Sequence, residues 1–208
     1  MKTLVKLSIL SIVLYSGTAL YSGPGHAAPR AGGATTPPAV TVAPIGAEEA
    51  ATLTWMREEE KLARDVYRTL YASTRAVVFK NIAASEQTHM DAILKKLKLF
   101  NLPDPVVNAT GSFSEPELQT LYAALVDQGL VSYQDALTVG ATIEDLDIRD
   151  LISAIEATDN LALKTTYQSL LEGSKNHLRA FVGLLKQLGA AYQPQYIDQE
   201  LYDAILGL

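Results

Sequence analysis

From residue 48 to the end, apolar residues return every three or four positions, with no convincing alternation at every second one. That spacing lines one side of a helix and cannot line one face of a strand. Helix-forming residues dominate the same span, so the chain reads as all-α. Four long helices are predicted, at about 48–72, 76–100, 132–157 and 161–189. Leu102-Pro103-Asp104-Pro105 stops the second, because proline cannot continue the hydrogen-bond ladder. A short helix opens at Ser114-Glu115-Pro116-Glu117, with Ser114 as N-cap and Glu117 at the capping-box position, and ends near Gly129. Ser132 caps the third long helix, Thr158-Asp159-Asn160 turns the chain into the fourth, and a tail helix is predicted at about 198–206. The first connection is short, which makes the first two helices an antiparallel hairpin. The second is long and holds its own helix, which lets the second and third long helices run parallel.

With 208 residues, of which 48% are hydrophobic, the chain can build one domain with a core, and is too short to suggest two. A net charge of −6 argues against a nucleic-acid partner, which needs clustered Lys and Arg. Cysteine is absent, so any metal must be held by carboxylate, imidazole, carbonyl or water oxygen. The start has another character. Lys2 and Lys6 precede a short apolar stretch at 7–20, and Gly25-His26-Ala27 offers a cleavage site. Residues 1–28 read as a secretory signal peptide, with an uncleaved membrane anchor as the alternative. Residues 29–47, rich in Pro, Ala, Gly and Thr, read as a flexible linker, and 48–208 as the helical domain. An exported protein, periplasmic or extracellular, is expected. A membrane would be met only through an uncleaved leader.

Each long helix carries an apolar stripe, and every stripe is interrupted. Leu53, Met56, Ala63, Tyr67 and Leu70 enclose Glu60 on the first. Phe79, Ile82, Ile93 and Leu97 leave a gap filled by Glu86 and His89 on the second. Leu137, Ala141, Leu151 and Ile155 flank Glu144 and Asp147 on the third, and Leu170, Phe181, Leu184 and Leu188 flank His177 on the fourth. A buried carboxylate is costly unless paired, protonated or bound to a cation. Glu60, Glu86, Glu144 and His177 each lie near the middle of a helix, and at about 1.5 Å rise per residue mid-helix positions meet at one level. Glu86 and His89 stand at i, i+3, on one face, and Glu144 and Asp147 repeat that spacing. Four carboxylates and two imidazoles form a set suited to two iron or manganese ions.

Plainer explanations exist for each residue alone. In the run Glu58-Glu59-Glu60, helical phase turns Glu58 outward and both Glu59 and Glu60 inward, so either could be the ligand. A solitary His177 could be a core histidine bonded to a carbonyl, and Glu144 with Asp147 a charged turn paired with Arg149. The convergence of four interrupted stripes favours a metal centre. Tyr67 and Tyr167 fall near it by phase, as donors to its carboxylates, as radical relays or as packing. Arg64 and Arg179 either neutralise surplus carboxylate charge or snorkel to the surface.

These residues resemble the ferritin-like superfamily, its rubrerythrin and bacterioferritin branch in particular. The first-helix pattern Glu-x-x-Ala-Arg-x-x-Tyr is matched by Glu60, Ala63, Arg64 and Tyr67, which favours Glu60 as ligand, and the second-helix Glu-x-x-His by Glu86 and His89. The segments EEEKLARDVY, SEQTHM, GATIEDLDIRDL and GSKNHLRAF are similar to an uncharacterised bacterial family, domain of unknown function 2202, over roughly residues 52–189. The resemblance implies a ferritin-like four-helix bundle with a long crossover containing a short extra helix. It also implies a di-iron or di-manganese carboxylate site. One departure is plain: the superfamily carries a second Glu-x-x-His on its last helix, whereas here Ser174 precedes His177. Asp147 is the carboxylate nearest to hand as a replacement.

Three functions follow as alternatives. The chain could be a di-metal oxidoreductase acting on peroxide, oxygen or ferrous iron. It could be a metal-binding or storage module without turnover, or a helical interaction protein whose polar core fixes register. Metal ions are the expected partners, and a homo-oligomer is compatible with all three.

Overall fold

A computed structural model describes residues 44–208. The signal peptide expected at 1–28, and the linker as far as residue 43, lie outside them. Six helices and no strand occur among the described residues: α1 (Ala47–Thr74), α2 (Val77–Leu99), α3 (Pro116–Gly129), α4 (Tyr133–Ala157), α5 (Leu161–Gln187) and α6 (Gln199–Leu206). None is long and apolar enough to cross a membrane.

Side-chain pairs fix the directions of the four long helices. Tyr67 packs near Phe79 while the earlier Glu60 meets the later His89, so α1 and α2 are antiparallel. Gly140 faces Phe181 and Glu144 faces His177, so α4 and α5 are antiparallel. Tyr67 reaches Glu144 while Glu59 lies beside Asp150, which sets α1 against α4 in the same sense. Because α2 and α4 both oppose α1, they run parallel to each other. Ser85 against His177 and His89 against Gly173 complete the ring between α2 and α5.

Local chemistry explains the ends. The Asn160 side chain accepts from the Ala162 and Leu163 amides at the start of α5, and Ser132 Oγ accepts from the Asp135 amide at 3.0 Å. The start of α3 differs from expectation. Glu115, not Ser114, is the N-cap, and no capping box forms. The free amides of Ser114 and Glu115 are instead taken by the two Glu58 oxygens, at 2.8 and 2.9 Å. Glu58 therefore faces the protein and is fully buried, against the outward position expected from phase.

Its neighbours share the task. Lys61, also fully buried, donates to Asp65 Oδ2 at 2.7 Å and to the carbonyls of Ser112 and Ala109. Arg57 forks onto Asp104 with two 3.0 Å bonds. One side of α1 thus pins the segment between α2 and α3, while the side one step round the helix faces the bundle interior. The C-terminal segment is held in a comparable way by Asp145, which accepts from Tyr192 Oη and from the amides of Gln195, Tyr196 and Ile197. On α5 the buried stripe runs Leu170, Leu178, Phe181, Leu185. Leu184 is half-buried and Leu188 is exposed, because the inward phase falls one residue later than expected and α5 ends at Gln187.

Candidate metal centre

Glu60 on α1, Glu86 and His89 on α2, Glu144 on α4 and His177 on α5 come together in the middle of the long helices, all buried. They divide into two groups, Glu60–Glu86–His89 and Glu86–Glu144–His177. Within each group one ligand atom per residue lies within 4.8 Å of the others. Glu86 belongs to both. Its Oε2 lies 2.8 Å from His89 Nδ1 and its Oε1 lies 2.8 Å from His177 Nδ1, yet neither oxygen meets a donor in hydrogen-bond geometry. Glu60 Oε2 stands 3.2 Å from His89 Nδ1, and Glu144 Oε2 stands 3.3 Å from His177 Nδ1. The imidazole rings stack 5.6 Å apart.

Neighbours orient these groups. Tyr67 Oη donates to Glu144 Oε1 at 2.5 Å, and its ring packs with Phe79 and Phe181 into an apolar wall beside the centre. Burial, then the Glu144 charge, holds the Tyr67 phenol well above its ordinary pKa, so it remains a proton donor. Ser85 Oγ lies 2.9 Å from His177 Nε2. Gly173 makes room for the other imidazole, since a Cβ there would stand 2.5 Å from His89 Nε2.

Charge inside the centre is strongly coupled. Burial raises the Glu60 carboxyl to about 8, opposed by His89. Burial pushes Glu86 the same way, but the two imidazoles outweigh it and bring Glu86 down to about 2. Burial alone would lower both histidines. Glu60 and Glu86 raise His89 to about 11, and Glu144 and Glu86 raise His177 to about 10. The carboxylates thus favour protonated imidazoles, and the imidazoles favour an ionised Glu86.

Other expected residues fall elsewhere. Asp147 is buried, and its Oδ2 lacks a donor, but it stands beside the two groups rather than within either. Burial, followed by the charges of Glu60, Glu59 and Glu144, raises its pKa far above the ordinary value. Glu59, the alternative to Glu60, is buried outside the groups with both oxygens unpartnered. Tyr167 does not line the centre: ten residues before His177 on one helix place it about 15 Å away along the axis. Its hydroxyl lacks a partner, and the charge that most affects it is Glu49 at the start of α1. Arg64 bonds Asp65 and Gln87, and Arg179 bonds the Ile205 carbonyl and Asn176, so both point away from the centre. Arg149 pairs with Asp150. Ser174, three residues before His177, turns its hydroxyl back to the Leu170 carbonyl, so α5 supplies no second carboxylate at that spacing. Ser85 and Gly173 went unnoticed in the sequence, and of the two only the helix-interior glycine offered a signal.

Comparison with known proteins places this architecture among relatives. Residues 49–207 match the model of a family described as an uncharacterized protein domain, DUF2202. The uncharacterized protein MJ0754 of Methanocaldococcus jannaschii is 55% identical over 164 residues, covering 78% of this chain and 89% of the relative. The crystal structure of hypothetical protein MJ0754 from Methanococcus jannaschii superposes with a TM-score of 0.80 at 53% identity, over 82% of this chain and 98% of that one.

Proposed function

This chain belongs to the DUF2202 family of uncharacterized domains, and we propose that it is an exported, ferritin-like metalloprotein with a dinuclear carboxylate–imidazole centre. Glu86 carries the reading. A fully buried carboxylate whose two oxygens each lie 2.8 Å from a different imidazole nitrogen, outside hydrogen-bond geometry, and beside a different glutamate could bridge two cations. Glu60 and His89 would complete one ion's protein ligands, Glu144 and His177 the other's. Asp147 would stand in reserve beside them. Carboxylates and imidazoles without thiolate favour iron or manganese.

Two such ions, when bound, supply electron exchange with oxygen or peroxide. The protein's own residues set the conditions. Tyr67 holds Glu144 in one orientation by its 2.5 Å bond. Ser85 meets the ring nitrogen of His177 that faces away from the centre, which fixes the tautomer presenting Nδ1. Phe79 and Phe181 keep water from one side. Oxidation of ferrous iron or reduction of peroxide is the proposed activity, in a compartment reached through the leader at 1–28.

Calorimetric titration with Mn²⁺ tests the centre. Two ions per chain are expected for the native protein, one each for His89→Ala and His177→Ala, and none tightly held by Glu86→Ala. Folded native protein that binds no metal would leave the polar core as a device for helix register alone. A stopped-flow assay with Fe²⁺ and peroxide then separates turnover from storage: iron-loaded protein that consumes neither is a binding module.

A further inference from the structure

The five residues of the proposed centre are not equally covered. Glu86 and Glu144 are fully buried and Glu60 is 2% exposed, but His89 and His177 are each 8% exposed. Solvent therefore meets the centre along the imidazole edges, at the seam between α2 and α5. The other sides are closed. Tyr67, Phe79 and Phe181 are fully buried and form the apolar wall. Arg64 spans α1 and α2 by donating to Gln87 at 2.6 Å. Between α1 and α4, Glu59 and Asp147 are buried, with Arg149 and Asp150 paired farther out.

Both rings turn Nδ1 inward to Glu86 and Nε2 toward the seam, where their surroundings differ. His177 Nε2 lies 2.9 Å from Ser85 Oγ. His89 is more than nine-tenths buried, yet its Nε2 has no hydrogen-bond partner among the described residues and stands over Gly173, where an added Cβ would come within 2.5 Å. A nearly buried ring nitrogen in that position calls for water or a small solute. The positions one turn to either side of these contacts are Asn81, Thr88 and Ala92 on α2 and Ser169, Asn176 and Ala180 on α5. All are exposed or half-buried, and none carries a charge. Charges nearby are engaged: Glu172 pairs with Lys175, Arg179 reaches the Ile205 carbonyl, and Asp91 accepts from Gln87. Ions are gathered by clefts of opposite sign, so this rim suits a neutral molecule.

We propose that the α2–α5 seam is the port through which small neutral solutes reach the centre, with Gly173 keeping it open and Ser85 and His89 Nε2 lining it as hydrogen-bonding groups. Gly173 leaves the His89 edge uncovered, because any side chain there would lie on the ring. Ser85 holds the His177 ring in place on the other side of the opening. Molecules that are charged, or much wider than an imidazole edge, are excluded. The port rests on the dinuclear reading, but it concerns the route inward and fails separately from it.

Side chains on a helix lean toward its N-terminus, and the pairs Ser85–His177 and His89–Gly173 make α2 and α5 antiparallel. Ala92 and Ala180 therefore lean over the port from opposite ends, and Ala92→Trp or Ala180→Trp should lay a ring across it with every ligand in place. The probe is nitric oxide, a neutral diatomic, mixed anaerobically in a stopped-flow cell with the Fe²⁺-loaded full chain and followed by visible absorption. Both variants should hold as much iron as the native protein but take up nitric oxide roughly tenfold more slowly, equivalent to about 1.4 kcal/mol on the barrier to entry. Glu172→Trp, on the flank of α5 that meets Ile152 and Ile155 of α4, should react at the native rate. A native rate in Ala180→Trp, whose exposed position accommodates the larger ring, would overturn the port while leaving the centre intact. Equal slowing in Glu172→Trp would overturn it as well, and so would iron-loaded native protein that takes up no nitric oxide. A native protein that binds no iron would remove the centre and the port together.

Discussion

Glu86 is the residue on which the most depends, because both halves of the centre share it. Glu86→Gln preserves its volume and removes the charge that two cations would share. Elemental analysis after dialysis should show metal falling from about two equivalents to none, as expected for a two-metal bridge. Proton linkage gives a second expectation at this scale. His89 and His177 are raised from 6.5 to about 11 and about 10, so in the metal-free protein their stabilisation is complete below pH 6.5 and lost as pH climbs through those values. Glu60, raised from 4.5 to about 8, loses its contribution between those two pH values. Glu86, lowered to about 2, contributes fully above 4.5 and loses its effect only in acid. Thermal melts in chelator should therefore fall as pH rises from 6 to 9. Metal binds the deprotonated ligands, so the increment that Mn²⁺ adds to the melting temperature should grow over the same interval. Melting that is flat with pH in chelator would mean that the imidazoles are not paired with these carboxylates.

The residues that converge at mid-bundle were legible because a glutamate or histidine inside an apolar stripe contradicts its surroundings, and three-residue spacing puts Glu86 and His89 on one face whatever the partner helices do. Glu59 and Glu60 could not be separated by phase alone, since both turn inward and only the packing of α4 and α2 assigns them to different places. Tyr167 was misplaced because phase fixes direction around a helix and says nothing of depth along it. Ser85 is an ordinary helix serine until α5 brings His177 against it.

At the scale of elements, α1 is the organising helix. Its run from Arg57 to Asp65 sends Glu58, Lys61 and Asp65 to the α2–α3 connection and Glu60 to the centre. Lys61→Met should cost about 1–3 kcal/mol in urea unfolding, because the carbonyls of Ala109 and Ser112 lose a charged donor while Asp65 keeps Arg64, with metal stoichiometry kept near native. Loss of metal without loss of stability would mean that this network serves the centre directly. Gly173→Ala should do the reverse. Its Cβ would push into His89, so one metal equivalent should weaken while the helices persist, and elemental analysis with circular dichroism reads both. The helices themselves were readable from periodicity, proline and cap residues. The start of α3 was not, because Glu58, fifty-six positions before Ser114, satisfies the amides that a local cap would otherwise take.

For the whole molecule, four long helices place charged groups from separate stretches of chain at one buried level, which costs stability unless something neutralises them. Metal should supply that neutralisation, so the loaded protein should melt higher than the chelated one; at a hundredfold excess over Kd the linkage amounts to about 2.7 kcal/mol. The order of connections, short then long then short, already implied that α2 and α4 run parallel, and the side-chain pairs agree. What no stretch of sequence displays is which carboxylates join the central groups and which stand beside them, since that depends on which of two inward-facing glutamates meets which neighbour.

Anomalous diffraction from crystals grown with Mn²⁺ addresses the bridge itself. Two peaks should flank Glu86, about 3.5–4 Å apart as in other two-metal sites, one between Glu60 and His89 and the other between Glu144 and His177. Crystals without a peak there, in which Glu86 simply accepts hydrogen bonds from both imidazolium groups, would contradict the dinuclear centre.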